Sequence, residues 1–275
     1  MNAVKRYSRA RSWQEALELR AAESGARWLA GGTFLLAGDG RDKPESVIDL
    51  GSALPRAIEI LGSELSIGAC ATFQDIAAAP ALPRCLIDAA LTMVNRNTRN
   101  RATLGGNLGA DKSCSSLIPL LIALDAQVEI ASPSSRTPER VGLEAWLDER
   151  EASPARASDL ALRVVLPARA GMRAAYRRWN RVSCDLSVLG AAVAFGLEGD
   201  CVVGLRVALG GLGPKARRFP ELEALFEGRR LPSREEIESA VSPILRPIDD
   251  LRASAAFKRL RGAQLLADAL TEARL

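Results

Sequence analysis

Residues 98–107, which read TRNRATLGGN, and the apolar residues 116–125, which read SLIPLLIALD, decide the fold. The first stretch predicts a glycine-rich loop at residues 104–107, and the second predicts a buried helix at residues 116–124. Adjacent glycines let a backbone approach a ligand closely and turn successive N–H groups toward an anion. Thr103 and Asn107 add a hydroxyl and an amide that can donate to phosphate oxygens. The segment therefore predicts a phosphate-binding loop, and a plain tight turn is the alternative.

A second glycine pair lies in residues 29–35, which read LAGGTFL. Here Thr33 supplies the neighbouring hydroxyl. Two such loops that face each other would hold a pyrophosphate from both sides. Neither loop fits the pattern G-x-G-x-x-G or a P-loop, so the sequence supports neither a Rossmann site nor a nucleoside-triphosphatase site.

The composition indicates a globular protein that relies on a cofactor for any chemistry. The 275 residues, of which 48% are apolar and 25% charged, are enough for two compact domains, or for one large domain with a smaller attachment. A net charge of +4 and an aromatic content of 4% argue against a nucleic-acid partner. The absence of histidine removes the commonest general base and the commonest zinc ligand. We therefore predict no catalytic and no metal-binding residue in this chain, and expect a bound cofactor to supply the reactive atoms.

The cysteines are dispersed, and no two of them form a C-x-x-C pair. Iron–sulfur clusters and structural zinc need clustered thiolates, so neither is expected in this chain. Dispersed cysteines fit a reducing compartment and mostly small core residues, with Cys114 in a polar loop as the exception. No signal peptide is seen, and the longest apolar stretch is shorter than the about 20 residues of a membrane span, so we expect a cytoplasmic protein without a membrane partner. The five cysteines of the chain are Cys70, Cys85, Cys114, Cys184 and Cys201.

Local patterns predict helices and strands that alternate in the first part of the chain. Ser12 is the predicted N-cap of the first helix, and Thr72 with Asp75 predicts a capping box on the second. A hairpin is predicted around residues 62–64, and a polar turn at residues 132–140. The predicted helices are 13–22, 72–78, 86–94 and 116–124, and the predicted strands are 27–30, 46–50, 58–60, 65–67, 126–131 and 161–166.

The last part of the chain has longer patterns. Residues 187–195 and 201–209 predict paired strands, and helices are predicted at 221–226, 234–241 and 252–271. Strands followed by helices predict an α+β layer with the sheet on one side and the helices on the other. A domain boundary is predicted near residues 168–172. The predicted apolar side of the last helix consists of Phe257, Leu260, Leu265, Leu266 and Leu270.

Both glycine motifs resemble those of the flavin subunits of the molybdenum hydroxylases, the family of xanthine dehydrogenase and CO dehydrogenase. In that family the motifs read roughly A-G-G-T/H-D/S-L and I-R-N-x-A-T-I-G-G-N, and a P-x-L-L-A-L-D-A helix follows the second. The similarity continues through residues 175–195, 205–228 and 252–266, so that it covers about the whole chain in the family's order.

The resemblance implies an α+β protein with a PCMH-type FAD-binding fold of two α/β subdomains at residues 1–168. A CO dehydrogenase flavoprotein-like C-terminal α+β domain would follow at residues 172–275. It implies FAD in this chain, the molybdenum cofactor in a large partner subunit, two [2Fe-2S] clusters in a small partner subunit, and an electron acceptor such as NAD. The glycine loops would hold the pyrophosphate, and Ser116 would lie near the ribityl or ribose hydroxyls. The implied FAD-binding residues are Leu29, Ala30, Gly31, Gly32, Thr33, Phe34, Thr103, Gly106, Asn107 and Ser116.

Two residues depart from the family pattern. Phe34 stands where the family usually has Asp, Ser or Thr, and Ser116 stands where it usually has Asp. These changes place the chain on a divergent branch. They leave open a family member that has lost FAD and acts as a scaffold or assembly subunit. A further alternative is an unrelated α/β binding module whose glycine pairs are plain turns.

Overall fold

A computed structural model describes residues 4–37, 44–135, 137–153, 156–167, 169–183 and 185–274. Cys184, and residue 168 at the predicted domain boundary, lie outside these ranges. The chain divides into two compact units, and neither is continuous in sequence. The first unit comprises Met1–Ala81, Asn95–Ala110 and Gln127–Leu166, and the second comprises Leu82–Val94, Asp111–Ala126 and Pro167–Leu275.

The elements follow one another in the order β1 (Arg6–Arg9), α1 (Trp13–Ala22), β2 (Arg27–Leu29), β3 (Ser46–Asp49), β4 (Ile58–Leu61), β5 (Glu64–Gly68), α2 (Phe73–Ala77), α3 (Arg84–Leu91), α4 (Arg96–Arg99), α5 (Leu104–Ala110), α6 (Leu117–Ala123), β6 (Gln127–Ala131), β7 (Glu139–Gly142), α7 (Leu143–Ala152), a 3₁₀ turn (Arg156–Ser158), β8 (Leu160–Pro167), β9 (Arg173–Trp179), β10 (Leu189–Glu198), β11 (Cys201–Gly210), β12 (Arg217–Arg218), α8 (Pro220–Phe226), α9 (Arg234–Val241) and α10 (Ala255–Arg274).

The first unit begins with a small parallel sheet in the order β1-β3-β2. Helix α1 begins where the Ser12 hydroxyl accepts a hydrogen bond from the Glu15 amide at 3.2 Å, as the sequence predicts. Ala16 and Leu17 of α1 pack with Ile48 of β3 in one apolar cluster. The predicted helix α1 and the predicted strands β2 and β3 are all present, and β2 pairs with β3 in parallel. Strand β1, which pairs with the other edge of β3, is an additional strand that the pattern does not indicate.

The larger sheet of the first unit has the order β4-β5-β8-β6-β7. The predicted hairpin is confirmed by the antiparallel pairing of β4 with β5. The prediction of a turn across residues 132–140 is wrong at its end, because Glu139–Gly142 form the edge strand β7 against β6. All four β7 residues are at least partly exposed, so the strand lacks the apolar alternation that would have marked it.

The second glycine motif forms a helix, so the predicted loop at residues 104–107 is wrong. These residues open α5, and neither Gly105 nor Gly106 has a positive φ. A Cβ on Gly105 would lie 2.9 Å from the Ala69 Cβ. The glycine therefore lets α5 pack closely on the segment after β5, which is a different use of the residue from a turn.

The second unit is built on the antiparallel sheet β12-β11-β10-β9. Alternate residues of β10, including Leu189 and Phe195, belong to one core cluster with residues of α8, α9 and α10. On the opposite face, a Cβ on Gly210 would lie 3.2 Å from the Pro119 Cγ of α6. The predicted pairing of β10 and β11 is confirmed, but the prediction of helices on one side alone is wrong. Helix α6 covers the other side, which explains why β10 is buried from residue 189 to residue 195.

Helix α10 buries most of the predicted apolar side, since Leu266 and Leu270 are fully buried and Leu265 packs against the same core. Leu260 is 56% exposed, whereas Lys258 is fully buried. The Lys258 ammonium lies 2.8 Å from an Asp250 carboxylate oxygen and donates to the Ile248 carbonyl at 3.1 Å. Because these two partners satisfy the charge, a lysine occupies a core position that apolar periodicity assigns to other residues. The helix also starts at Ala255 rather than at residue 252.

Candidate cofactor site

The first glycine pair forms a half-buried turn after β2. Gly32 has a φ of +71°, which a residue with a side chain rarely adopts, and its carbonyl accepts from the Leu36 amide at 3.0 Å. Among the residues that the structure describes, no acceptor faces the amide N–H groups of Gly31, Gly32 and Thr33. Successive unpaired amides around a left-handed glycine form a concavity that suits an anionic oxygen. The turn therefore fits a phosphate group.

The two glycine motifs meet within the first unit. A Cβ on Gly31 would lie 1.8 Å from the Arg101 carbonyl oxygen, so only glycine allows this approach. The Arg101 Nε in turn donates to the Gly31 carbonyl at 3.3 Å. Leu29 precedes the turn as the last residue of β2, and its carbonyl accepts from the Leu50 amide at 2.8 Å. The structure thus brings the predicted residues 29–33 next to the residues that precede Thr103.

The amides at the second glycine pair are already used inside the first unit. Leu104 donates to the Ala71 carbonyl at 2.9 Å and Gly105 donates to the Ala69 carbonyl at 2.8 Å. The Gly106 amide donates to the Thr103 hydroxyl oxygen at 3.1 Å. Thr103 is 7% exposed, and its hydroxyl hydrogen has no acceptor among the described residues. This motif can therefore offer a ligand the Thr103 hydroxyl, while the free amides belong to the first motif.

Two other predicted site residues flank these groups. Phe34 is 59% exposed and follows the turn, where its ring offers apolar surface but no polar atom. Asn107 lies in the first turn of α5, and its amide donates to the Thr103 carbonyl at 3.0 Å.

Ser116 belongs to the second unit, where it is the N-cap residue of α6 and 5% exposed. Its hydroxyl oxygen lies 3.1 Å from that of Thr92, which donates to the Ala89 carbonyl at 2.6 Å. The Tyr176 hydroxyl is buried, and the hydroxyls of Ser116 and Ser187 lie near it. Burial raises the pKa of Tyr176 to about 12, although Arg178 and the hydroxyls of Ser116 and Ser187 act to lower it. Tyr176 is therefore a neutral hydrogen-bond donor near Ser116, and no sequence pattern had indicated it.

The cysteines do not form a site among the described residues. Cys70, Cys85, Cys114 and Cys201 are free, and burial raises the pKa of Cys70 and of Cys85 to about 11. Nowhere in the described ranges do three His, Cys, Asp or Glu side chains come together as they would around a metal ion. No described helix combines the length and the apolar character needed to cross a bilayer.

A cavity of about 400 Å³ in the second unit is lined by several charged residues. The guanidinium of Arg218 forms two hydrogen bonds with the Glu223 carboxylate, at 2.7 and 2.6 Å. Arg206 lies 3.0 Å from an Asp125 carboxylate oxygen, and burial lowers the pKa of Arg206. Arg169, which also lines the cavity, pairs with the same Asp125 carboxylate, so each arginine of the lining has a carboxylate partner.

Two family descriptions match the chain in succession. The FAD binding domain in molybdopterin dehydrogenase matches residues 2–169, and the CO dehydrogenase flavoprotein C-terminal domain matches residues 174–273. Together they exclude the alternative of an unrelated module with plain glycine turns.

Individual relatives match over nearly their full length. The chain is 32% identical to the uncharacterized protein YgfM of Escherichia coli (strain K12), over 96% of this chain and 95% of that protein. It is 29% identical to the nicotine 6-hydroxylase medium subunit of Paenarthrobacter nicotinovorans, over 98% of this chain and 96% of that subunit. A chain of carbon monoxide dehydrogenase from Hydrogenophaga pseudoflava, in a form that lacks the Mo-pyranopterin moiety of its cofactor, superposes with a TM-score of 0.87 at 27% identity, covering 99% of this chain and 98% of that one. The predicted fold class is thereby confirmed.

Proposed function

The chain belongs to the FAD-binding medium subunits of the molybdenum hydroxylases, and we propose that it passes electrons from the [2Fe-2S] clusters of a small partner subunit to an acceptor such as NAD. The observation that carries the proposal is the turn at Gly31 and Gly32, whose unpaired amides suit a phosphate and whose backbone touches the second motif. When bound, FAD supplies redox chemistry with one or two electrons.

We assign FAD binding mainly to backbone groups of the first unit. The amides of Gly31, Gly32 and Thr33 would donate to the pyrophosphate, and the Thr103 hydroxyl would add a side-chain donor. Leu29 and Ala30 would place the turn, and Phe34 would contribute through its backbone or its apolar ring. Gly106 leaves room for the Thr103 hydroxyl, since a Cβ there would lie 2.9 Å from that oxygen. Asn107 completes the proposed set in the first unit, and Ser116, which belongs to the second unit, stays a prediction.

The proposal leaves substrate oxidation to a large partner subunit that carries the molybdenum cofactor. Without a histidine, this chain lacks the side chain that most often moves protons in catalysis. The word medium in the names of the relatives supports an assembly of several subunits. We place the complex in the cytoplasm, since free and dispersed cysteines suit a reducing compartment.

Two matched glycine variants test the FAD site. Gly32→Ala and Gly62→Ala both place a side chain at a positive φ, +71° and +62°, so both incur a similar backbone strain of about 1–2 kcal/mol. The two sites differ in packing, because a Cβ at Gly62, in the turn of the β4–β5 hairpin, would meet nothing within 4 Å, whereas one at Gly32 would lie 3.2 Å from the Leu29 Cδ1. For this reason the flavin content is compared per folded chain. We expect Gly32→Ala to lose FAD and Gly62→Ala to retain it, as measured by flavin absorbance per folded chain.

The same measurement separates the proposal from a FAD-free scaffold. An unaltered chain that stays colourless after saturation with FAD would favour the scaffold. Equal flavin content in the two variants would contradict the phosphate role of the Gly31–Gly32 turn. For the acceptor, anaerobic NADH should bleach the flavin of the intact complex, and persistent colour would point to another acceptor.

A further inference from the structure

Three arginines of the second unit line one cavity of about 400 Å³, which we call the arginine cavity. Arg206 belongs to β11 and Arg218 to β12, and Arg169 precedes β9. The wall of the cavity also contains Glu223 and Glu227. Arginine side chains recognise carboxylates and phosphates through pairs of N–H groups. An anion can bind here if the acids of the protein leave part of this positive charge uncompensated.

The acids compensate the three arginines unequally. Glu223 forms an ion pair with Arg218, whereas the Asp125 carboxylate is shared by Arg169 and Arg206. One carboxylate thus serves two guanidinium groups. The group formed by these two arginines and Asp125 therefore has an excess of one positive charge.

Arg206 also has N–H groups that no protein atom uses. Its Nε and Nη2 donate to the Ile122 carbonyl at 3.3 Å, and its Nη1 has no hydrogen-bond partner among the described residues. Its side chain is only 16% exposed. Burial lowers the pKa of Arg206, and the charges of Arg218 and Arg169 act in the same direction, against the attraction of Asp125. A further anion at Nη1 would stabilise this partly buried cation.

Glu227 limits the charge that such an anion can carry. Its two carboxylate oxygens accept from the Gly204 and Leu205 amides at 2.7 and 2.8 Å, which holds the carboxylate in the wall of the cavity. No arginine of the described residues forms an ion pair with it. Because like charges repel strongly in a partly buried site, a single carboxylate suits the cavity better than a doubly charged phosphate.

A second cavity, of about 220 Å³, adjoins the arginine cavity, because Arg169 and Gly204 line both. Gly204 has a φ of +62°, and a Cβ there would meet nothing within 4 Å, so the space beside its backbone is open. The rest of the second cavity is lined by apolar residues and a glycine, among them Met172, Phe195 and Val203. An apolar group attached to the carboxylate would bury its surface against them.

We propose that these adjoining cavities bind a small organic monocarboxylate, with its carboxylate on Arg206 and Arg169 and its apolar body along Met172 and Val203. All the residues that form this site belong to the second unit. The inference goes beyond the proposed function, because the site requires neither FAD nor the glycine motifs.

The test is isothermal titration calorimetry of the full chain with benzoate, beside benzamide as its uncharged counterpart of similar shape and beside inorganic phosphate. We expect benzoate to bind at least about tenfold more tightly than either, since hydrogen bonds between charged groups account for that factor. Arg206→Met leaves Asp125 paired with Arg169 and should weaken benzoate binding by about ten- to hundredfold. Ala224→Leu keeps all three arginines, adds bulk to the wall of the arginine cavity, and should also weaken it.

The matched control is Arg163→Met, which removes a partly buried arginine that pairs with Glu129 in the first unit. It should bind benzoate as the unaltered chain does, and circular dichroism checks that each variant is folded. The inference is overturned if the unaltered chain binds no benzoate at millimolar concentration, or if folded Arg206→Met or Ala224→Leu binds it unchanged. Tighter binding of phosphate than of benzoate overturns the choice of a monocarboxylate. None of these results bears on FAD binding, so the proposed function is tested separately.

Discussion

Gly31 and Gly32 are adjacent, yet they are glycines for different physical reasons. Gly31 lies against the Arg101 carbonyl, where no side chain fits, and Gly32 has a positive φ. Gly105 shows a third reason, because its missing side chain lets a helix pack on Ala69. A sequence motif shows where glycines occur but does not distinguish these causes. For this reason the position of the first motif was predictable, and the helical form of the second was not.

At the residue scale, Gly31→Ala should be among the most destabilising small substitutions in the chain. Its Cβ would overlap a backbone oxygen that cannot rotate away, so we expect a loss of about 3 kcal/mol or more in unfolding free energy. Gly25→Ala is the control, since a Cβ there meets nothing within 4 Å and should change stability by less than about 0.5 kcal/mol. If Gly31→Ala and Gly25→Ala unfolded at the same denaturant concentration, the packing explanation for Gly31 would be contradicted.

At the element scale, the accuracy of the sequence prediction depended on how local each signal was. The N-cap of α1, the β4–β5 hairpin and the capping box of α2 rest on neighbouring residues and are confirmed. The strand β7 and the buried position of Lys258 in α10 depend on residues distant in the sequence. Lys258 illustrates this, because only the fold brings Asp250 and the Ile248 carbonyl to its ammonium.

The capping box of α2 should give the protein a pH-dependent increment of stability. The Thr72 amide donates to Asp75 at 2.8 Å, and the Arg56 Nε donates to the same carboxylate at 2.8 Å. Burial acts to raise the pKa of Asp75, but Arg56 and Thr72 outweigh it, so the pKa is lowered on folding. A lowered pKa contributes stability that is present above the unfolded value of about 3.9 and is lost as the pH falls through the folded value.

We therefore expect Asp75→Ala to lower the unfolding free energy by about 1–2 kcal/mol at pH 7, and by less as the pH falls below about 4. Asp88→Ala removes an exposed partner of Arg84 and should cost less than about 0.5 kcal/mol at either pH. A loss in Asp75→Ala that stays constant from pH 7 to pH 3 would show that the carboxylate charge is not involved.

Helix α10 provides a second test at this scale. Leu266 is fully buried and Leu260 is 56% exposed, although sequence periodicity places both on the apolar side. Leu266→Ala should cost about 2–5 kcal/mol, and Leu260→Ala less than about 1 kcal/mol. Equal losses in denaturant titrations would mean that Leu260 is as buried as Leu266, contrary to the structure.

At the scale of the whole molecule, the compact units cut across the order of the chain. Residues 82–94 and 111–126 belong to the second unit, although both lie within the first family match. Helix α6 thereby covers the far face of β10. Because both faces of this strand are buried, its sequence lacks the alternation of apolar and polar residues that marks a strand with one exposed face. Sequence analysis missed Tyr176 for the same reason, because its buried hydroxyl lies near Ser116, which is distant in the chain.

The most direct test of the central claim, that this chain relays electrons rather than oxidising substrate, is anaerobic bleaching of its flavin. A panel of purines, aldehydes and N-heterocycles would be mixed with the isolated FAD-loaded chain and with the native complex. We predict that none of them bleaches the isolated chain, and that the substrate of the complex bleaches the flavin when the molybdenum and iron–sulfur subunits are present. Bleaching of the isolated chain by an organic substrate, without molybdenum or iron, would contradict the relay and make this a free-standing flavin dehydrogenase.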